Sequence, residues 1–443
     1  MKSLSVKTLR KLPTNFADQD KILSKHHPHR HHFGGRGYFR RLGPGLITGA
    51  ADDDPSGIGT YSQVGAAFGF QLLWTTIVAL PFAAAVQEAT ARLGLFSGKG
   101  LAALIKQEFS RKVLYVALGL VVAANTFNIG ADLGSMAAAT HLIVPIPQYV
   151  LVVVFAAGMA ALEIAIPYHQ YSRVLRWLCI SLLSYVAVLF IIKVSWGDVL
   201  QHTFVPQVHF NKTELAALIA LFGTTISPYL FFWQTSEEVE ELAEHGTESV
   251  EETANHLRAM RGDVMAGMSS GVFVMFAIMV TSAATLHKSG ITNIGTAEQA
   301  AQALEPLAGS LAKLLFTLGI MGTGLLAVPV LAGSTSYALA ETFGWREGLS
   351  LKMSQARAFY FVILGSMMCG LAMNFVGLNP VRALYWSAVL NGLAAPPLIV
   401  MILLLSRRKD VLGEHVSGRV SQTLVTMAAI ASTVLPILYF VAH

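Results

Sequence analysis

The sequence predicts an all-α polytopic membrane protein built from two inverted repeats of five spans plus one further helix, eleven spans in all. Three observations carry this prediction. Of 443 residues, 54% are apolar and only 13% charged, with mean hydropathy +0.56, where a soluble domain carries about 25% charge. Apolar stretches of about 20 residues, enough to cross a bilayer core, recur along the chain. Two of them are interrupted near their middle by proline among small polar residues, at matching places in two sets of five.

The chain begins with a basic segment, residues 1–42, expected to be a disordered cytoplasmic tail. Its His26, His27, His29, His31 and His32 could gather a transition metal, but a polar tail beside the membrane is the simpler reading. The basic excess concentrates here, so the pI near 9.1 does not argue for a nucleic-acid partner. No signal peptide is expected, because the first apolar stretch is span-length and has no cleavage-like site. Cys179 and Cys369 both lie in apolar runs, which argues against a disulfide framework and a thiolate metal site.

The predicted spans are 44–65, 70–91, 114–139, 147–167, 175–194, 214–233, 264–286, 309–338, 357–376, 384–405 and 421–441. They divide the chain into a membrane core, 43–405, of two repeats (43–195 and 214–405), followed by a loop and last span, 406–443. Lys and Arg collect in alternate connections: Arg92 to Lys112, Arg173 with Arg176, Arg258 with Arg261, Arg346 with Lys352, and Arg407 to Arg419. The positive-inside rule therefore puts the amino terminus in the cytoplasm and the carboxyl terminus outside; a cell's inner (plasma) membrane is the expected location. The largest polar connection, 234–262, holds eight glutamates and is expected to be a cytoplasmic helical excursion. A solvated linker is preferred there to a cation-concentrating exit. The opposite connection, 195–213, contains a sequon at Asn211 that matters only in a glycosylating compartment.

The first span reads GAADDDPSGIGT from Gly49, placing three carboxylates and a helix breaker at mid-membrane. Charge there costs at least a few kcal/mol. Adjacent acids on a helix point about 100° apart, so Asp52, Asp53 and Asp54 cannot all face one ion unless the chain is unwound. Asp54 is the best ligand candidate, because the residue before a proline is pushed out of helical geometry. The sixth span places Gly223, Thr224, Thr225, Ser227 and Pro228 mid-run, 173 residues after the first break when measured between Pro55 and Pro228. Paired interrupted helices in corresponding positions are the pointer to a midplane site in an inverted-repeat transporter. Simple proline kinks are the competing reading for the sixth span, but kinks do not require three acids. The breaks offer carboxylate, hydroxyl and carbonyl oxygen and no His, Cys or Met, a set suited to magnesium, manganese or calcium.

GPGLITGAADDDPSG, the second-span LLW through ARLGLFSGKGLA, the third-span ADLGS and the sixth-span TTISPYLFFWQ together resemble the natural-resistance-associated macrophage protein (NRAMP) family of divalent metal transporters, over roughly residues 40–405. The resemblance implies the leucine-transporter fold and import of manganese or ferrous iron with protons. It implies metal ligands at Asp54, at the Thr224 carbonyl and at the positions of Gly57 and Ser227, where the family has Asn and Met. It also places Tyr229 where the family has His, and Ser135 where it often has a second acid after Asp132. These departures resemble the family's magnesium-transporting prokaryotic side branch. A branch that moves aluminium also lacks the methionine and stays as a minor alternative.

The resulting expectation is a secondary carrier, not an enzyme and without a cofactor, that imports magnesium first and manganese second by alternating access without tight proton coupling. Asp53 is a candidate for contact with the ion or its waters, with support of the break as the alternative. A monomer is expected. The competing readings are a proton-coupled manganese or iron carrier and a magnesium channel. Gln63, Asn125, Asn128, Asn374 and Asn379 either line the pathway or bridge helices. Glu163 is weighed as a gate partner of Arg173 or Arg176, Glu88 as a residual proton carrier, and the aromatic run from Tyr229 to Trp233 as bulky packing.

Overall fold

The computed structural model describes residues 49, 51–166, 180–245 and 250–442. The tail, Cys179, Arg173 and Arg176 lie outside the described residues, and so does the gate pairing weighed for Glu163. Among the described residues the fold is helical, without strands. The helices are α1 (Pro55–Phe68), α2 (Trp74–Ser97), α3 (Leu101–Glu108), α4 (Arg111–His141), α5 (Gln148–Ala165), α6 (Leu183–Leu189), α7 (Trp196–Phe204), α8 (Lys212–Thr225) and α9 (Pro228–His245). They continue as α10 (Val250–Ser282), α11 (Ala297–Ala301), α12 (Glu305–Ala308), α13 (Ala312–Phe343), α14 (Arg357–Met373), α15 (Pro380–Ser406), α16 (Lys409–Leu412) and α17 (Arg419–Val441). Among the described residues, each of the eleven apolar segments is at least partly helical. Among the described residues, seven helical stretches are long and apolar enough to cross a membrane.

Proline alone does not break these helices. Pro81, Pro329, Pro396, Pro397 and Pro436 all sit inside continuous helices. The two breaks differ because a polar side chain beside the proline takes over backbone groups that the helix would have paired. Asp54, extended at φ −67° and ψ 169°, caps α1 by accepting from the Gly57 amide, and Pro55 takes the first helical position. At the second break Ile226 leaves helical geometry (φ −122°, ψ 62°) and Ser227 Oγ donates back to the Thr224 and Gly223 carbonyls, at 2.8 and 3.1 Å. Each interruption therefore satisfies part of its own backbone inside an apolar bundle, as a bilayer demands.

Around the breaks, α4 packs on α13, α14 and α15, while α8 packs on α15 and α9 on α2 and α13. Close approach needs small residues. A Cβ at Gly223 would lie 2.2 Å from the Ala388 carbonyl and 2.3 Å from the Gly392 amide, so α8 and α15 touch backbone to backbone beside the second break. The outer surface keeps large apolar side chains exposed, such as Val116, Tyr149, Phe190, Phe361 and Phe440. Such a surface is matched to lipid rather than water.

Two sequence expectations shift. The second helix runs past its predicted end, through Arg92 to Ser97. The start of the 234–262 connection is not a solvated linker: Gln234, Thr235, Ser236, Glu237 and Glu238 are buried within α9. The sixth segment's apolar run ends at Trp233, so sequence alone placed the boundary there. The helix instead stays in the protein interior against α2, α3 and α13.

Candidate metal-binding site at the paired breaks

The site grows from the Asp54 carboxylate. Oδ1 accepts from Ser56 Oγ and the Gly57 amide, both at 2.7 Å, and Oδ2 accepts from Asn128 Nδ2 at 2.8 Å. The group is 1% exposed. Two of its three donors come from its own capping turn, whereas Asn128 reaches it from α4 and so ties that helix to the first break. Asp132 lies one turn further along α4, on the same helical face. It is fully buried, and neither carboxylate oxygen has a hydrogen bond.

Gly57 meets the second break. A Cβ there would sit 3.4 Å from Thr224 Oγ1, from the Asp52 carbonyl and from Tyr61 Cε2. Thr224 Oγ1 is buried and without a hydrogen bond. Ser227 is 1% exposed, with its hydroxyl turned onto the carbonyls of its own helix, including that of Thr224. The structure thus brings Gly57 and Thr224 together and places Asp54 and Ser227 at the ends of the same two broken helices. Asp52 and Asp53 are buried, each with Oδ1 lacking a hydrogen bond. Both lie toward α10, where a Cβ at Gly271 would be 3.6 Å from Asp52 Oδ2 and 3.7 Å from Asp53 Oδ1.

Phe231, Phe232 and Trp233 are buried bulky packing as expected, while Tyr229 also makes a polar contact. Its hydroxyl donates to the Ala51 carbonyl at 2.9 Å and ties the start of α9 to the helical turn that enters the first break. Tyr61 and Thr225 add a weaker tie, 3.4 Å between hydroxyls. Of the remaining polar candidates, Asn125 and Asn374 bridge helices, Gln63 holds the connection before α11, and Asn379 caps its own helix. Asn125 donates to Thr335 Oγ1 at 3.0 Å, Gln63 accepts from the Ile294 amide at 2.8 Å, Asn374 donates to the Gly130 carbonyl at 2.9 Å, and Asn379 caps α15. Glu88 pairs with Arg92, with Arg261 at 3.0 Å and with Ser421. Those partners make it an anchor between α2, α10 and α17 and not a residue of the breaks.

Asn391 was missed. It is fully buried in α15 with both side-chain polar atoms lacking hydrogen bonds, next to the Gly392 whose backbone meets Gly223. Only the α8–α15 contact reveals it, because a single Asn in an apolar run has many bland explanations. Chemically, the breaks collect buried carboxylate, hydroxyl and carbonyl oxygens, a hard donor set.

Comparison with known proteins follows the same line. A family model described as natural resistance-associated macrophage protein-like matches residues 45–442. A protein named divalent metal cation transporter MntH from Caldanaerobacter subterraneus is 25% identical over 402 residues, covering 88% of this chain and 90% of that protein. Its namesake from Erwinia tasmaniensis is 26% identical over 402 residues, covering 89% and 92%. In three dimensions the chain is similar to the Eremococcus coleocola manganese transporter crystallised with an aromatic bis-isothiourea compound, with TM-score 0.72, 18% identity, and 91% and 87% of the two chains covered. It is similar also to Mhp1, a nucleobase-cation-symport-1 family transporter, with TM-score 0.59, 16% identity, and 90% and 92% covered.

Proposed function

Because the chain belongs to the natural resistance-associated macrophage protein-like family and is a divalent metal transporter of the membrane, we propose that its cargo is a hard divalent ion, magnesium before manganese. The observation that carries this reading is the Gly57–Thr224 contact. Glycine leaves space against a buried hydroxyl, where the resemblance puts an Asn ligand, and Ser227 offers oxygen where the resemblance puts a thioether. A small, hard ion that keeps several waters suits such a site better than a soft one that gains from sulfur. Asp54, Thr224 and Ser227 are the proposed ligands, with Asp53 and the space at Gly57 serving the ion's waters. Ser227 Oγ donates its proton to the Thr224 carbonyl and keeps its lone pairs for an ion.

The proposed carrier has eleven spans, a tail at 1–42, repeats at 43–195 and 214–405 and a final segment at 406–443. Its amino terminus is cytoplasmic, its carboxyl terminus is outside, and it acts as a monomer. Import runs by alternating access and without tight proton coupling, because Tyr229 and Ser135 replace the groups to which the resemblance assigns proton transfer. A manganese or iron carrier coupled to protons is the second reading; the name of the structurally similar Eremococcus coleocola manganese transporter favours its manganese part. Purified protein in liposomes separates them. Saturable magnesium influx without matching internal acidification is expected. Manganese transport with strict exclusion of magnesium overturns the proposal, and large unsaturable conductance points to a channel.

A further inference from the structure

The buried start of the 234–262 segment brings a second donor set together, away from the breaks. Glu238 and Glu241 are three residues apart on one face of α9, and His256 comes from the first turns of α10. One ligand atom from each of the three lies within 4.8 Å of the others. Glu238 is 1% exposed, and its two oxygens are treated differently. Oε1 accepts from Gln234 at 2.8 Å, whereas the buried Oε2 has no hydrogen bond and faces His256 Nε2 at 3.9 Å. That separation is too long for a hydrogen bond. It is within a small side-chain rotation of the spacing of two ligands held about 2.1 Å from one ion.

We propose that Glu238, Glu241 and His256 form a second divalent-metal site that joins α9 to α10. Its occupant is a first-row transition ion. Two carboxylates with one imidazole suit manganese, ferrous iron or zinc, whereas magnesium prefers oxygen and water alone. Ten residues of helix separate Pro228 from Glu238, about 15 Å at 1.5 Å per residue, so this site and the breaks do not share an ion. The desolvated Glu238 oxygen is the reason to expect a cation and not only an ion pair with protonated His256: burying a carboxylate oxygen without a hydrogen bond is costly unless charge is brought to it. An ion there fastens the far end of α9 to α10, and so ties the mobility of the second half of the broken sixth segment to transition-metal supply.

The test uses the full-length chain with His26, His27, His29, His31 and His32 replaced by Asn, so that those imidazoles do not contribute. Manganese is titrated against it in millimolar excess magnesium, and pulsed electron paramagnetic resonance reads nitrogen modulation from a bound imidazole. One manganese ion carrying nitrogen modulation is expected, with affinity at least tenfold lower in Glu238→Gln and the modulation lost in His256→Gln. Asp54→Ala is expected to leave that signal in place, so failure of the transport-site assignment reads out separately. Absence of nitrogen modulation in the parent protein overturns the proposal. So does its survival with unchanged affinity in His256→Gln, and where that variant fails to fold, unchanged affinity in Glu238→Gln does the same.

Discussion

At the scale of single residues, Asp54 has two tasks that a substitution can separate. As the cap of α1 it accepts from the Gly57 amide, and as the proposed ligand it supplies charge. Asn keeps a capping oxygen and removes the charge. Asp54→Asn is therefore expected to fold normally while magnesium uptake in liposomes falls at least a hundredfold; uptake within a few-fold of the parent would remove Asp54 from the ion's coordination. Ser227 gives the complementary prediction. Its hydroxyl now satisfies the Thr224 and Gly223 carbonyls, and Ser227→Met replaces that oxygen with a polarisable thioether. Competition uptake is expected to shift at least tenfold toward manganese or cadmium relative to magnesium, and an unchanged ratio would place the side chain outside the site. Both positions were legible in the sequence because a pre-proline polar residue in an apolar run is hard to explain otherwise. Asn128 was only half legible: its residue type allowed a contact, but its partner depends on how α4 lies against α1.

At the scale of elements, the sequence located the two breaks and missed how far the sixth segment stays inside the protein. Apolar periodicity stops at Trp233, yet Glu237 and Glu238 are 3% and 1% exposed, because α9 continues between α2 and α13. A composition rule reads four carboxylates in six residues as solvated, and tertiary packing overrode it. The same acidic end reaches the connection after α13. Glu240 accepts from Tyr337 Oη and from the Leu349 amide, the latter at 3.0 Å, and Glu347 lies close by. Burial, then the charges of Glu341 and Glu240, push the Glu347 carboxyl up to about 9 from 4.5. Its folded form thus holds the proton more tightly than the unfolded chain. This contribution to stability is complete below about pH 4.5 and is lost as pH rises toward 9, since the native state binds the extra proton across that window. Glu347→Gln is expected to flatten the decline, with a thermal midpoint above the parent's at pH 8.5 and close to it at pH 4.5. Parallel pH profiles for the two proteins would show that Glu347 is ionised in the fold.

At the scale of the whole molecule, the five-plus-five arrangement was legible because two prolines with polar neighbours fall at corresponding positions, and the bundle confirms why such positions meet. Both broken helices pack against α15, and Gly57 faces Thr224 across the junction. Which ion passes is a question for the energetics of the complete cycle. A carrier without an obligatory proton moves two positive charges per magnesium ion, and the membrane potential supplies about 2.3 kcal/mol per charge per 100 mV, or roughly twice that for the ion. At 1.4 kcal/mol per decade, 100 mV inside-negative sustains an accumulation of roughly three decades at equilibrium. Liposomes clamped at that potential by a potassium gradient and valinomycin are expected to accumulate magnesium far above the outside concentration, and to do so equally with and without a pH gradient. A coupled proton would change the result in a definite way, since an inward proton gradient of one pH unit would then add about a further decade for each proton carried. Accumulation that follows the pH gradient at fixed potential would assign the chain to the proton-coupled reading, with Asp132, buried and without a hydrogen bond beside the Asp54–Asn128 contact, as the first residue to substitute.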